Sequence, residues 1–124
     1  MIDFTPREIS GILKAALLIA DADGWNDYAE ERLVMEELER LGVPDDVLRP
    51  LFHVAETMEP RELFDILRSL DWLQANYVLG FLAAVFMHDG DLDGRELKVW
   101  EMIAKTLNLE HISPLMAHRF WLDH

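Results

Sequence analysis

Two short stretches of this chain gather side chains that could hold a hard cation. Asp23, Gly24, Asp27 and Glu30 form the first, and Asp89, Gly90, Asp93 and Glu96 repeat the pattern in the second, with Asp21 and Asp91 crowding the same turns. Carboxylate oxygens supplemented by loop carbonyls are the ligand set of Ca²⁺, Mg²⁺ or Mn²⁺. Helix ends explain part of the pattern: Gly24 and Gly90 suit C-caps, while Asp27 with Glu30 and Asp93 with Glu96 suit capping boxes. That leaves Asp23 and Asp89 without a task and does not account for Asp21 and Asp91. Roughly four carboxylates in one bend repel one another unless a positive charge relieves them. The candidate metal ligands are therefore Asp23, Asp27, Glu30, Asp89, Asp91, Asp93 and Glu96.

The second turn also opens like an EF-hand loop, with acids at positions 1, 3 and 5 (Asp89, Asp91, Asp93) and Gly94 at position 6. The likeness stops there. Position 12, where a bidentate Glu belongs, is Trp100, and position 8 is Glu96 instead of an apolar residue.

Other chemistry finds little support. The five histidines, His53, His88, His111, His118 and His124, are scattered, and no Glu-x-x-His occurs, which argues against a di-iron carboxylate bundle. His88 beside Asp89 reads as a helix-end histidine, with a supporting role behind a metal ligand as the alternative. Ser10, Ser69 and Ser113 lack a glycine-flanked elbow, and no Gly-rich phosphate loop is present. With no Cys at all, thiolate zinc sites, disulfides and cysteine nucleophiles are excluded. A catalytic role is not expected.

The elements that must position these turns read as helices. Thr5, Pro6 and Glu8 make a capping box with Pro at the first helical position, and Ile9, Ile12, Leu13, Ala16, Leu17 and Ala20 follow at helical spacing. A second helix runs from Asp27 to Gly42 on the stripe Leu33, Val34, Leu38 and Leu41, its charged residues Glu36, Glu37, Glu39 and Arg40 reading as a solvated face. Pro44, Pro50 and Pro60 punctuate the middle, which predicts one helix or a broken pair over residues 45–58 and another over 60–70. Residues 72–88 are apolar all round, as a central bundle helix is. Asp93 caps the next helix, with Leu97, Trp100, Ile103, Ala104 and Leu107 facing inward, and Ser113-Pro114 opens a last helix whose Phe120 and Trp121 close the core, a partner anchor being the alternative. No alternating strand pattern appears.

A shift of 66 residues lays Asp23, Gly24, Asp27 and Glu30 on Asp89, Gly90, Asp93 and Glu96. Apolar positions follow: Ile19 falls on Val85, Leu33 on Val99, Val34 on Trp100, Leu41 on Leu107 and Val43 on Leu109. The match fails at Met35, which meets Glu101, and at Glu37, which meets Ile103. The expected architecture is all-α: one domain over residues 1–124, a bundle of about six to eight helices. It is built on an internal duplication of helix-turn-helix units, with halves roughly 5–43 and 71–109, connecting helices over 44–70 and a C-terminal helix over 113–123.

Leu18-Ile19-Ala20-Asp21-Ala22-Asp23-Gly24 with Glu30, and then His88-Asp89-Gly90-Asp91-Leu92-Asp93 with Glu96 and Ile103-Ala104-Lys105-Thr106-Leu107, resemble the TerB-like tellurite-resistance family over residues 13–109. The resemblance implies a duplicated helical fold and an acidic cluster binding a divalent cation, in proteins tied to metal-oxide and envelope stress. By position it carries over Asp23, Asp27 and Glu30, and Asp89, Asp93 and Glu96. Trp25 and Asn26 depart from the family's pattern in the first turn.

Net charge is −13, from 24 acidic and 11 basic residues, so the surface repels phosphate backbones and attracts cations and basic protein patches. A nucleic-acid partner is not expected; a protein partner is. The strongest apolar run, residues 77–87, falls short of the ~20 residues that span a bilayer. Asp3, Arg7 and Glu8 break the order of a signal peptide, which makes the cytoplasm the expected location, as monomer or homodimer. The functional expectation is a non-catalytic module that binds a divalent cation, a protein partner or both. The alternative is a metal-free interaction or scaffold domain whose acidic turns are only helix caps.

Overall fold

A computed structural model describes the backbone of residues 2–21, 28–87 and 94–124, and the side chains of 2–20, 32–87 and 94–124. It contains α1 (Pro6–Asp21), α2 (Tyr28–Arg40), α3 (Asp45–Thr57), α4 (Pro60–Ser69), α5 (Trp72–Phe86), α6 (Gly94–Thr106) and α7 (Pro114–Leu122), and no strand among the described residues. One hydrophobic core joins them. The all-α, single-domain expectation holds.

Local chemistry explains where the helices begin. The Glu8 amide donates to Thr5 Oγ1 at 3.2 Å while the Thr5 amide donates to Glu8 Oε1 at 2.8 Å, the reciprocal box expected for α1. A second box opens α5: the Gln74 amide donates to Asp71 Oδ1 at 2.8 Å and the Asp71 amide to Gln74 Oε1 at 3.0 Å. Ser113 accepts from the Met116 amide to start α7, with Pro114 following it.

The ends of α2 and α6 are equally specific. Gly42 has φ +90° and Asn108 φ +61°, and each sits in the same pair of backbone bonds. Val43 N–H donates to the Leu38 carbonyl and Gly42 N–H to that of Glu39; Leu109 N–H donates to Ala104 and Asn108 N–H to Lys105. Both are Schellman stops, with the left-handed residue at the turn. The 66-residue shift carries Thr5 to Asp71, Tyr28 to Gly94 and Gly42 to Asn108. It also moves α1 onto α5, α2 onto α6, and α3 onto residues 111–123, over α7. Packing follows the same correspondence, for α1 packs chiefly on α3 and α5 chiefly on α7.

The middle segment resolves the choice left open by its prolines. Residues 45–57 form one helix, and Pro50 lies exposed in its second turn, where the missing N–H costs one bond and no core contact. Leu63, Ile66 and Leu67 of α4 are buried, consistent with its packing on α1 and α6.

α5 is the axis of the molecule. From Ala75 to Phe86 every residue but Ala84 is buried. Its close neighbour is α7: a Cβ placed on Gly80 would lie 2.6 Å from Trp121 Cβ and closer still to the Ala117 carbonyl oxygen. Only a residue without a side chain admits that approach. On another side Trp100 of α6 is buried and its indole donates to the Leu79 carbonyl at 3.2 Å.

Gly80→Ala is expected to destabilise the fold by about 1–3 kcal/mol, because the added methyl must push α7 outward. Gly94→Ala, where a Cβ meets nothing within 4 Å, should change stability by less than about 1 kcal/mol. Chemical denaturation of the two variants beside the parent chain checks the contrast.

Candidate functional site

The expected site lies at two helix junctions, α1 to α2 and α5 to α6. Asp23, Asp27, Asp89, Asp91 and Asp93 fall outside the described residues, as do Gly24, His88 and Gly90, and Glu30 is placed on α2 by its backbone alone. Glu96 is described. It occupies the first turn of α6, where a carboxylate is favoured by the helix dipole, and it is buried at 6% exposure and engaged by the protein. Among the described residues no group of three or more His, Asp or Glu gathers to hold a metal ion.

A second polar site, which the sequence did not announce, opens between α2, α5 and α7. Glu37 is buried at 9% exposure, so the charged face of α2 is not uniformly solvated as its composition suggests. The shift explains its position: Glu37 falls on Ile103, a fully buried core residue of α6. A carboxylate in an apolar slot must be hydrogen-bonded to persist. Tyr77 Oη donates to Glu37 Oε1 at 2.5 Å, and Arg40 donates to the same oxygen at 2.6 Å. The break in the repeat was the available signal, since it set a charged residue on an apolar position.

Two further contacts complete the cluster. The Arg40 guanidinium stands 5.7 Å from the Trp121 ring centroid, and His118 stacks on the same ring at 6.0 Å. Trp121 Nε1 is buried and makes no hydrogen bond among the described residues, although it lies near enough to the Tyr77 hydroxyl to favour its ionised form. Glu37, Arg40, His118 and Trp121 border a cavity of about 340 Å³ that Leu33, Glu36, Phe81, Ala84 and Val85 also line.

The electrostatics follow from burial and charge. Burial, then the hydrogen bond and negative charge of Glu37, push the Tyr77 phenol up to about 12. The same carboxylate raises Arg40. At neutral pH the cluster is therefore a neutral phenol and an ion pair, a preformed set of donors and acceptors. Tyr77 is far too weak an acid to exchange protons in that range.

No family model matches the chain, and no curated protein matches it either. The fold itself recurs in the crystal structure of PG1108, a protein of unknown function from Porphyromonas gingivalis. The two chains align over 100% of both lengths with a TM-score of 0.83 and 24% sequence identity.

The phenol shift fixes a pH dependence. Its folded value near 12 exceeds the ordinary 10, so the stability it contributes is complete below pH 10 and lost as pH rises towards 12. Ultraviolet titration should show one of the two tyrosines ionising late, and Tyr77→Phe should remove that late step. A phenolate signal complete by about pH 11 in the folded protein would contradict the buried Tyr77–Glu37 bond.

Proposed function

We propose that this chain is a non-catalytic helical module, similar to TerB-like tellurite-resistance proteins, that binds a divalent cation through its two acidic turns. The ion would be Ca²⁺, Mg²⁺ or Mn²⁺. The ligands would be Asp23, Asp27 and Glu30 in one turn and Asp89, Asp91, Asp93 and Glu96 in the other. A protein partner with a basic face, in a cytoplasmic stress-response setting, belongs to the same proposal.

The reading rests on one observation: the two acidic segments connect α1 to α2 and α5 to α6, pairs of helices that a 66-residue shift lays on one another. The 66-residue shift that aligns the acids also relates the capping boxes at Thr5 and Asp71, the helix starts at Tyr28 and Gly94, and the left-handed stops at Gly42 and Asn108. An ancestral duplication is the simplest source of that agreement.

The metal-free alternative also has an observation in its favour. The chain demonstrably spends Thr5 with Glu8, and Asp71 with Gln74, on capping alone. Asp27 with Glu30 and Asp93 with Glu96 could be spent likewise.

Calorimetric titration separates the two. The parent chain should take up at least one of Ca²⁺, Mg²⁺ and Mn²⁺ with a dissociation constant below about 1 mM, and should melt at a higher temperature in its presence. Asp89→Asn combined with Asp93→Asn should weaken that uptake by about tenfold or more. Absence of binding in the parent, with a melting temperature indifferent to all three ions, would leave the capping alternative.

A further inference from the structure

The cavity between α2, α5 and α7 is a built polar site that the cation proposal does not use. Both hydrogen bonds to Glu37 land on Oε1, and Oε2 accepts none among the described residues. Glu37 lines the cavity, so a carboxylate with one oxygen free of hydrogen bonds among the described residues borders a half-open cleft of about 340 Å³. Leu33, Phe81, Ala84 and Val85 supply apolar walls, and Glu36 stands at the rim.

The charge in and around the cleft selects the ligand. Glu36 at the rim is paired with Arg32 at 3.0 Å, Glu37 is paired with Arg40 through Oε1 at 2.6 Å, and His118 is the remaining titratable group on the lining. Arg40 is committed to Glu37 and lies over Trp121, with its side chain 63% exposed. An anion would meet the unbonded Glu37 Oε2 under a net charge of −13, whereas a cation is drawn to it. The volume is at the small end of ligand pockets, enough for a charged head on a short hydrocarbon stem.

We propose that this cleft binds a protonated amine or guanidine carried on an apolar stem of about four carbons, its head donating to Glu37 Oε2 and its stem lying on Phe81, Ala84 and Val85. A free small molecule and the Lys or Arg side chain of another protein present the same chemistry. This site is separate from the acidic turns and does not depend on them.

The test follows the Trp121 indole N–H signal in two-dimensional ¹H–¹⁵N NMR, assigned with Trp121→Phe, during titration with three probes. Butylguanidine represents the free ligand, a Gly-Gly-Arg-Gly-Gly peptide the side-chain source, and butyrate an anion with a three-carbon stem, of similar overall length. A saturable shift with either cationic probe, and none with butyrate, is the expected result; the tighter of the two identifies the source. Glu37→Gln should weaken binding by at least about tenfold, the worth of one charge-assisted hydrogen bond. Should that variant fail to fold, Ala84→Phe, which fills the cleft from its half-buried wall, must abolish the shift. Asp89→Asn with Asp93→Asn must leave it unchanged, which keeps this outcome independent of the divalent-ion titration. No shift at about 10 mM of either cation, butyrate binding as tightly, or an undiminished shift in Ala84→Phe would overturn the proposal.

Discussion

A helix that is apolar on every side survives in water only if other elements cover all of it, and α5 imposes that constraint on this chain. α2, α6 and α7 answer from different directions, each by a specific device. α7 presses in where Gly80 lacks a side chain, α6 inserts Trp100 and ties its indole to the Leu79 carbonyl, and α2 offers Glu37 to the Tyr77 hydroxyl. The last contact is the costly one. The carboxylate brought against the central helix holds both Tyr77 and Arg40 on one oxygen, and the other accepts no hydrogen bond among the described residues.

The helical frame was largely legible because its signals are local. The Thr5–Glu8 box, the stripe of α1, the stop at Gly42 and the inward face of α6 each rest on residues within a few positions of one another. Contacts that cross the chain leave no such local mark. Glu37 stands among Glu36, Glu39 and Arg40 and looks solvated; its burial depends on Tyr77, 40 positions away. Pro50 left one helix or a broken pair open, and its exposed position in the second turn lets α3 continue as one helix. The box at Asp71 and Gln74 is a local signal masked by the long apolar run that follows it.

The candidate site divides the same way. Its residue types and spacing are a property of the sequence, and the helices on either side of each turn begin and end at matching places. Whether the carboxylates converge depends on side-chain directions that no spacing fixes. Glu96 is the ligand candidate whose surroundings are described, and it is withdrawn from water, unlike an ordinary first-turn acid. The likeness to PG1108 extends over the whole chain and concerns the fold alone.

The claim that two matching bends bind a divalent ion can be read directly from Mn²⁺-induced line broadening in a ¹H–¹⁵N spectrum. Substoichiometric Mn²⁺ should erase the amide signals of Asp21, Tyr28, Met87 and Gly94, which border the two turns. It should spare those of Gly42 and Asn108, roughly 20 Å away at the far ends of α2 and α6. Broadening spread evenly over the spectrum, or none at either junction, would contradict the account.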